Sequence, residues 1–306
     1  MLRRRLLALV ATPLLALPTV ACTAGTAAGD PDAVQLVAAF YPLEFTARQV
    51  GGEQVSVTGL TPPGAEAHDL ELSPSQVAAV AEADLVVYLA GFQPAVDDAI
   101  AAHATGASLD VTTVVPPLEH DEAGHEDDDG HDHGTADPHV WLDPDRLATV
   151  AGAVAQRLAD VDPERAAEYR ANADALGADL AELDAELADG LASCERREIV
   201  VSHAAFGYLA DRYGLEQIAV TGLSPEDEPS PQQLADAIDA ARAHGATTIF
   251  FEVLVSPEVA NLIAGEVGAT TAVLDPIEGL APGSEADYFS LMRGNLAALR
   301  EALGCR

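Results

Sequence analysis

The longest helical pattern in the chain covers residues 163–193 and reads PERAAEYRANADALGADLAELDAELADGLAS. After its first residue it contains no proline, and its leucines are spaced four, three, four and four residues apart. This spacing places the leucines on one face of an α-helix. A helix of about 30 residues extends about 45 Å at 1.5 Å per residue, so it can run along both halves of the protein. The leucines of this face are Leu176, Leu180, Leu183, Leu187 and Leu191.

On both sides of this helix, short apolar runs alternate with segments of helical pattern. This rhythm of strand, helix and strand is typical of parallel βαβ units. We therefore predict an α/β fold with two lobes, each with a mostly parallel sheet flanked by helices, joined by one long rigid helix. The predicted strands are residues 34–40, 55–60, 85–90, 199–202, 218–220, 247–251 and 271–274.

These elements also predict where the parts of the chain begin and end. We expect the N-terminal lobe at residues 34–160, the linking helix at 161–193 and the C-terminal lobe at 194–306. A shorter helix at residues 144–159 precedes the linking helix, and a final helix covers residues 288–303.

The first residues of the chain have the pattern of a bacterial export signal. Three arginines precede an apolar stretch at residues 6–17, which is too short to cross a membrane as a helix. Small residues then precede Cys22, as in lipoprotein signals in which this cysteine is lipidated, although Thr19 stands where leucine is usual. We expect a signal peptide at 1–22, a tether at 23–33 and a lipid anchor on the outer face of the cytoplasmic membrane. Ordinary secretion to the periplasm, with an incidental Cys22, is the alternative.

The cysteine count agrees with export. The chain has three cysteines, and if Cys22 carries lipid, Cys194 and Cys305 remain, which is the number needed for one disulfide. An exported protein folds in an oxidising compartment, where such a bond persists. Two unrelated free thiols are the alternative.

The composition limits the partners of the protein. Hydrophobic residues make up 49% of the 306 residues, which is enough to bury a substantial core. The 50 acidic residues stand against 15 basic ones, and the formal net charge is −35. Such a surface repels phosphate backbones and attracts cations, so we expect no nucleic-acid partner. We also expect a monomer.

Four residues with metal-binding side chains come where predicted strands end or a helix begins. In parallel α/β sheets, ligands bind beyond the carboxyl ends of the strands. Each half of the chain supplies two of the four residues, so we expect the site in the cleft between the halves. Three imidazoles and one carboxylate suit tetrahedral Zn²⁺, whereas Mn²⁺ prefers more oxygen ligands. The candidate ligands are His68, His139, His203 and Asp275.

Three motifs carry a resemblance to a known family. They read TPPGAEAH at residues 61–68, DPHVWLDP at 137–144 and GLSPEDEPS at 222–230. The chain resembles the ZnuA-like solute-binding proteins, which are the metal receptors of zinc and manganese ABC transporters. The resemblance runs from about residue 34 to the C-terminus, and it implies two α/β lobes bridged by one long rigid helix.

The resemblance also implies a ligand set and a metal. The family's metal ligands correspond to His68, His139, His203 and Asp275 of this chain. Manganese members have a glutamate at the third position, so His203 implies zinc. Some zinc members use a water molecule in place of the aspartate, and the fourth ligand is therefore Asp275 or water. Glu252, at the end of a predicted strand, either orients a ligand histidine or is simply a strand-end carboxylate.

A histidine-rich acidic segment at residues 120–133 is a second metal-binding candidate. It combines four histidines with seven acidic residues and has almost no apolar side chain, which predicts a mobile inserted loop. Zinc receptors of the resembled family carry such a loop, and manganese receptors usually lack it. A solvated acidic loop with incidental histidines is the alternative. The histidines are His120, His125, His131 and His133.

Together these observations predict an extracytoplasmic, high-affinity zinc receptor that delivers Zn²⁺ to an ABC permease, and not an enzyme. The alternatives are a manganese receptor of the same family, a secreted zinc-dependent hydrolase, or a surface adhesin or zinc buffer. Against a hydrolase, the chain has no His-Glu-x-x-His motif, and a fourth protein ligand would close the site to water.

Overall fold

The computed structural model describes residues 33–116, 118–119, 136–225 and 227–306. The predicted signal peptide with Cys22, and the tether up to residue 32, lie outside these residues. The predicted loop with its four histidines, His120, His125, His131 and His133, lies outside them as well. Within the described part of the chain, no helix combines the length and the apolar character that a membrane span requires.

The first half of the chain contains a four-stranded parallel sheet. Its strands are β1 (Val34–Ala38), β2 (Val55–Gly59), β3 (Leu85–Tyr88) and β4 (Ser108–Asp110). They lie in the order β2-β1-β3-β4. The helices of this half are α1 (Tyr41–Gly51), α2 (Pro74–Glu82), α3 (Pro94–His103) and α4 (Pro144–Val161). A short antiparallel pair, β5 (Leu118–Glu119) and β6 (Ala136–Asp137), precedes α4.

The second half repeats this arrangement. Its parallel sheet has the order β10-β9-β7-β8. The strands are β7 (Glu198–Val201), β8 (Glu216–Ala219), β9 (Thr248–Phe251) and β10 (Thr270–Val273). The helices are α6 (Gly207–Tyr213), α7 (Pro231–Ala243), α8 (Glu258–Val267) and α9 (Tyr288–Leu303).

The long helix α5 (Ala166–Leu191) connects the two halves. A 3₁₀ turn at Pro163–Arg165 precedes it, so the helix begins three residues later than the leucine pattern predicts. All five predicted leucines are buried. Helix α5 packs against α4, α1 and α9. The predicted fold class, with two parallel sheets and one long helix, is confirmed.

Local sequence signals explain where several helices start. Ser73 caps α2 and Ser230 caps α7, and each forms a reciprocal capping box with a glutamine three residues later. A proline follows each serine at the first helical position, where its missing N–H removes no helical hydrogen bond. Helix α1 begins at Tyr41, with Pro42 in its first turn.

A disulfide joins Cys194, just after α5, to Cys305, just after α9. It spans 111 residues of sequence, a loop whose closure is worth about 4–5 kcal/mol in the chain-entropy account. Backbone hydrogen bonds from Glu195 and Arg196 to the carbonyl of Leu303 reinforce the same junction. The end of the linking helix is thereby fixed to the C-terminus of the chain.

Candidate metal centre

Four side chains meet between the carboxyl edges of the two sheets. His68 lies in the loop after β2, and His139 follows β6 directly before a 3₁₀ turn. His203 lies two residues beyond β7, and Glu278 lies five residues beyond β10. Each sheet thus supplies ligand-type groups from segments that follow its strands, as expected for parallel α/β architecture. In the described part of the chain, this is the one group of side chains with the spacing of a metal site.

One carboxylate oxygen lies at the centre of the contacts. Glu278 Oε1 is 3.5 Å from His68 Nε2, 3.2 Å from His139 Nε2 and 3.3 Å from His203 Nε2. The Nε2 atoms of His139 and His203 are 3.4 Å apart. His139 and His203 are fully buried, and the side chains of Glu278 and His68 are only 6% and 11% exposed.

These separations are those of ligand atoms around one ion. Zinc bonds of about 2.0–2.1 Å in a regular tetrahedron place the ligand atoms about 3.3–3.4 Å apart. The four separations given above, 3.2–3.5 Å, fall around this value. All four ligand atoms lie within 4.8 Å of one another, so the group is spaced closely enough to hold one tetrahedral cation.

The structure brings Glu278, and not the expected Asp275, into this group. The Oδ1 atom of Asp275 accepts a hydrogen bond from the N–H of Ile277 at 2.8 Å, so the aspartate is engaged in its own turn. The chain then turns and carries Glu278 inward. Sequence reasoning chose the first acidic residue after the strand, although Glu278, in the same DPIE segment, was also visible.

The ring of His139 is oriented by a carboxylate. Asp137 Oδ1 lies 2.8 Å from His139 Nδ1 and also accepts the backbone N–H of His139 at 2.9 Å. With Nδ1–H as the donor, the Nε2 lone pair of the neutral ring points at the site. Sequence reasoning overlooked Asp137, although its position two residues before the histidine is that of a local Asx-type turn.

Glu252 makes the corresponding contact with His203. Its Oε1 lies 2.7 Å from His203 Nδ1, and its side chain is only 4% exposed. Of the two roles that the sequence left open for Glu252, the structure therefore places it as the partner of a histidine in the site. A carboxylate that accepts the Nδ1–H of a ligand imidazole fixes the tautomer of the ring. It also makes the Nε2 lone pair a stronger ligand for a cation.

His68 is held differently. Its ring packs against Phe92, with centroids 4.5 Å apart, and its backbone N–H donates to Glu66 at 3.0 Å. Gln93 Nε2 donates to the carbonyl of Ala67 and so fixes the loop one residue earlier. His68 Nε2 is buried and makes no hydrogen bond of good geometry to a described residue; its polar contact is the 3.5 Å approach to Glu278 Oε1. A buried nitrogen that is poorly satisfied within the protein gains most when a cation binds it, which fits the metal assignment.

The charges of the site are coupled. Burial acts to lower the pKa of His203, but hydrogen bonds to Glu252 and Glu278 outweigh it and raise the pKa to about 10. Burial likewise opposes the rise in the pKa of His139, which Asp137 and Glu278 cause. Burial acts to raise the pKa of Glu278, but the histidines around it hold that pKa well below its usual value. Without a cation, a protonated His203 therefore lies beside the central carboxylate.

Three imidazoles and one carboxylate, buried between two parallel sheets, define a two-lobed α/β protein built around a metal site. The family model described as "Zinc-uptake complex component A periplasmic" (ZnuA) matches residues 36–302, and the chain belongs to this family. The resemblance inferred from the sequence motifs is thereby confirmed.

Named relatives and solved structures agree with this family. The zinc-binding protein AdcA of Streptococcus pyogenes is 36% identical over 287 residues, which cover 87% of this chain and 55% of AdcA. The high-affinity zinc uptake system protein ZnuA of Bacillus subtilis is 33% identical over 292 residues, covering 92% and 91% of the two chains. The Zn(II)-bound ZnuA-like domain of Streptococcus pneumoniae AdcA superposes with a TM-score of 0.74 at 31% identity, covering 89% of this chain and 99% of that domain. The chain spans about half the length of AdcA.

The raised pKa values predict that cation binding releases protons. An imidazole with a pKa of about 10 is protonated at pH 7.5, so a cation at His203 Nε2 must displace that proton. The affinity for the cation is therefore highest at a pH above the raised pKa of His203. Below that pKa it should fall about tenfold per pH unit for each proton that the cation displaces. Calorimetry at pH 7.5 in buffers of different ionisation enthalpy should report at least one proton released per ion. A binding enthalpy independent of the buffer would contradict the charge state assigned to the site.

Proposed function

We propose that this protein is an extracytoplasmic receptor that binds Zn²⁺ between its two lobes and delivers it to an ABC permease for import. The observation that carries the proposal is the convergence of three Nε2 atoms on one carboxylate oxygen at tetrahedral spacing. The ligands are His68, His139, His203 and Glu278. Membership of a family described as a component of a zinc-uptake complex supports the role in transport.

The donor set favours zinc over manganese. Imidazole nitrogen is a good ligand for Zn²⁺, whereas Mn²⁺ is better served by carboxylate, carbonyl and water oxygens. The site offers three nitrogens, and Glu278 is its single carboxylate. Asp137 and Glu252 face the Nδ1 atoms on the far sides of two rings, so they orient ligands and do not add oxygens to the shell.

The closed shell favours a receptor over a hydrolase. A catalytic zinc site keeps a position open for the water that it activates, usually beside three protein ligands. Here four protein groups surround the site, and their side chains are at most 11% exposed. Such a site sequesters a cation, and release then requires the surrounding lobes or loops to move.

The sequence pattern supports a placement at the membrane. We propose that residues 1–22 direct export, that Cys22 carries the lipid anchor and that the body acts as a monomer, with lobes at residues 34–160 and 194–306. The family description as periplasmic agrees with an extracytoplasmic location.

Replacing His139 with alanine tests the binding site. His139 is fully buried and contacts both Glu278 and His203, so its loss should weaken zinc binding by more than about 100-fold, because even outer partners of a ligand are worth about 10–100-fold. Zinc affinity would be measured by competition with a chelator. His103→Ala, at the exposed end of α3, is the matched control and should bind as the wild type does. Near-wild-type affinity of His139→Ala would exclude this site.

The histidine-rich segment is a separate proposal. We propose that it collects zinc at lower affinity than the main site, because a sequence with almost no apolar side chain has to be ordered when it binds an ion. Deleting residues 120–133 removes four imidazoles and none of the four proposed ligands. The number of bound zinc ions should fall, while the tightest dissociation constant stays within about threefold. Loss of the tight site in this variant would contradict the proposal and would place a histidine of this segment in the main shell.

A further inference from the structure

The turn that carries Glu278 contains an unusual backbone conformation. Ile277 has a φ of +61°, and among the described residues it is the one non-glycine residue with a positive φ. This left-handed region is unfavourable for a β-branched side chain. Ile277 is also fully buried, so the conformation is not that of a loose surface loop. Such a conformation persists only where surrounding contacts impose it.

Contacts of the two residues before Ile277, and of its own N–H, impose this conformation. Asp275 Oδ1 accepts the N–H of Ile277 at 2.8 Å and closes the turn from within. The amide of Asn295, on α9, accepts the N–H of Asp275 at 2.8 Å and donates to its carbonyl at 2.7 Å. Trp141 Nε1 donates to the carbonyl of Pro276 at 2.6 Å. The turn is therefore fastened to the last helix and to a segment of the first half of the chain.

The next residue after Ile277 is the central carboxylate of the site. A change at φ of Ile277 would redirect the chain immediately before Glu278. Since Glu278 Oε1 lies within 3.5 Å of three Nε2 atoms, a small rotation of this turn would remove it from the group. Asp275, which the sequence suggested as a ligand, thus has a different role. It holds Ile277, the residue directly before Glu278.

We propose that Asp275 is a positioning residue: by accepting the N–H of Ile277 it holds the left-handed turn that presents Glu278 to the metal. This inference rests on the proposed function, because it assumes that the four-residue group binds zinc. Holding a ligand in its bound position before the ion arrives reduces the ordering cost of binding. Asp275 therefore acts on affinity through Glu278 and does not contact the ion.

Two substitutions separate this role from that of a ligand. In Asp275→Asn, the side-chain oxygen can still accept the N–H of Ile277, but the negative charge is gone. In Asp275→Ala, both the acceptor and the charge are lost. We expect Asp275→Asn to bind zinc within about threefold of the wild type and Asp275→Ala to bind about 10–100-fold more weakly, the range found for residues that orient metal ligands. Equal losses in the two variants would overturn the proposal, because charge would then be the property that matters.

A double-mutant cycle tests whether Asp275 acts through Glu278. In a Glu278→Ala background no carboxylate remains to be positioned, so adding Asp275→Ala should change zinc affinity by less than about twofold. Independent, multiplicative losses would overturn the proposal. The same cycle distinguishes the two hypotheses: if Glu278→Ala itself leaves zinc affinity unchanged, the proposed binding site fails, whatever Asp275 does.

A substitution of Ile277 provides a further control. It keeps the test informative even if Asp275→Ala alone folds poorly. Glycine adopts a positive φ without steric cost, so Ile277→Gly should reduce the dependence of the turn on Asp275. We expect Asp275→Ala to weaken zinc binding less in the Ile277→Gly background than in the wild type. An equal or larger loss in that background would overturn the proposal. Cobalt-loaded Asp275→Ala should also show an altered d–d absorption spectrum, whereas Asp275→Asn should match the wild type.

Discussion

The approach of three imidazole nitrogens to one carboxylate oxygen is the contact around which the rest of the molecule is arranged. A buried carboxylate is costly unless positive charge lies beside it. In the metal-free protein a protonated His203 provides such charge, as its raised pKa and the lowered pKa of Glu278 indicate. In the proposed loaded state it comes from the cation. Binding is thus an exchange of protons for one metal ion at a fixed carboxylate.

While the four groups are together, the two halves of the chain must keep one separation. Aromatic side chains help to hold this separation through hydrogen bonds that cross between the halves. Trp141 donates to the carbonyl of Pro276, and Tyr288 donates to the carbonyl of Trp141, both at 2.6 Å. Tyr208 donates to the carbonyl of Asp137 at 3.0 Å. These bonds reach the segments that bear His139 and Glu278, so the scaffold and the site are fixed by the same contacts.

Much of the fold could be predicted from the sequence because its signals are local. Three kinds of signal depend only on neighbouring residues: the leucine spacing on α5, the apolar runs of the strands, and the Ser-Pro pairs at the starts of α2 and α7. The three histidines could be predicted as a set because parallel strands deliver their following residues to one edge. The three-residue strand β4 was not predicted, since so short an element carries little pattern.

The carboxylate of the site could not be chosen in the same way. Whether Asp275 or Glu278 points inward depends on the turn between them, and that turn depends on contacts with Asn295 and Trp141, which are distant in sequence. Local sequence pattern does not report such contacts, so it favoured the first acidic residue after the strand, whereas the group that the structure assembles contains Glu278.

X-ray absorption at the zinc edge, on protein loaded with one equivalent of zinc, tests the central claim most directly. We predict four nitrogen or oxygen neighbours at about 2.0–2.1 Å, with the multiple scattering of three imidazoles, and one fewer imidazole in His139→Ala. A shell of five or six oxygen-dominated neighbours, or the same imidazole count in the wild type and His139→Ala, would contradict the account.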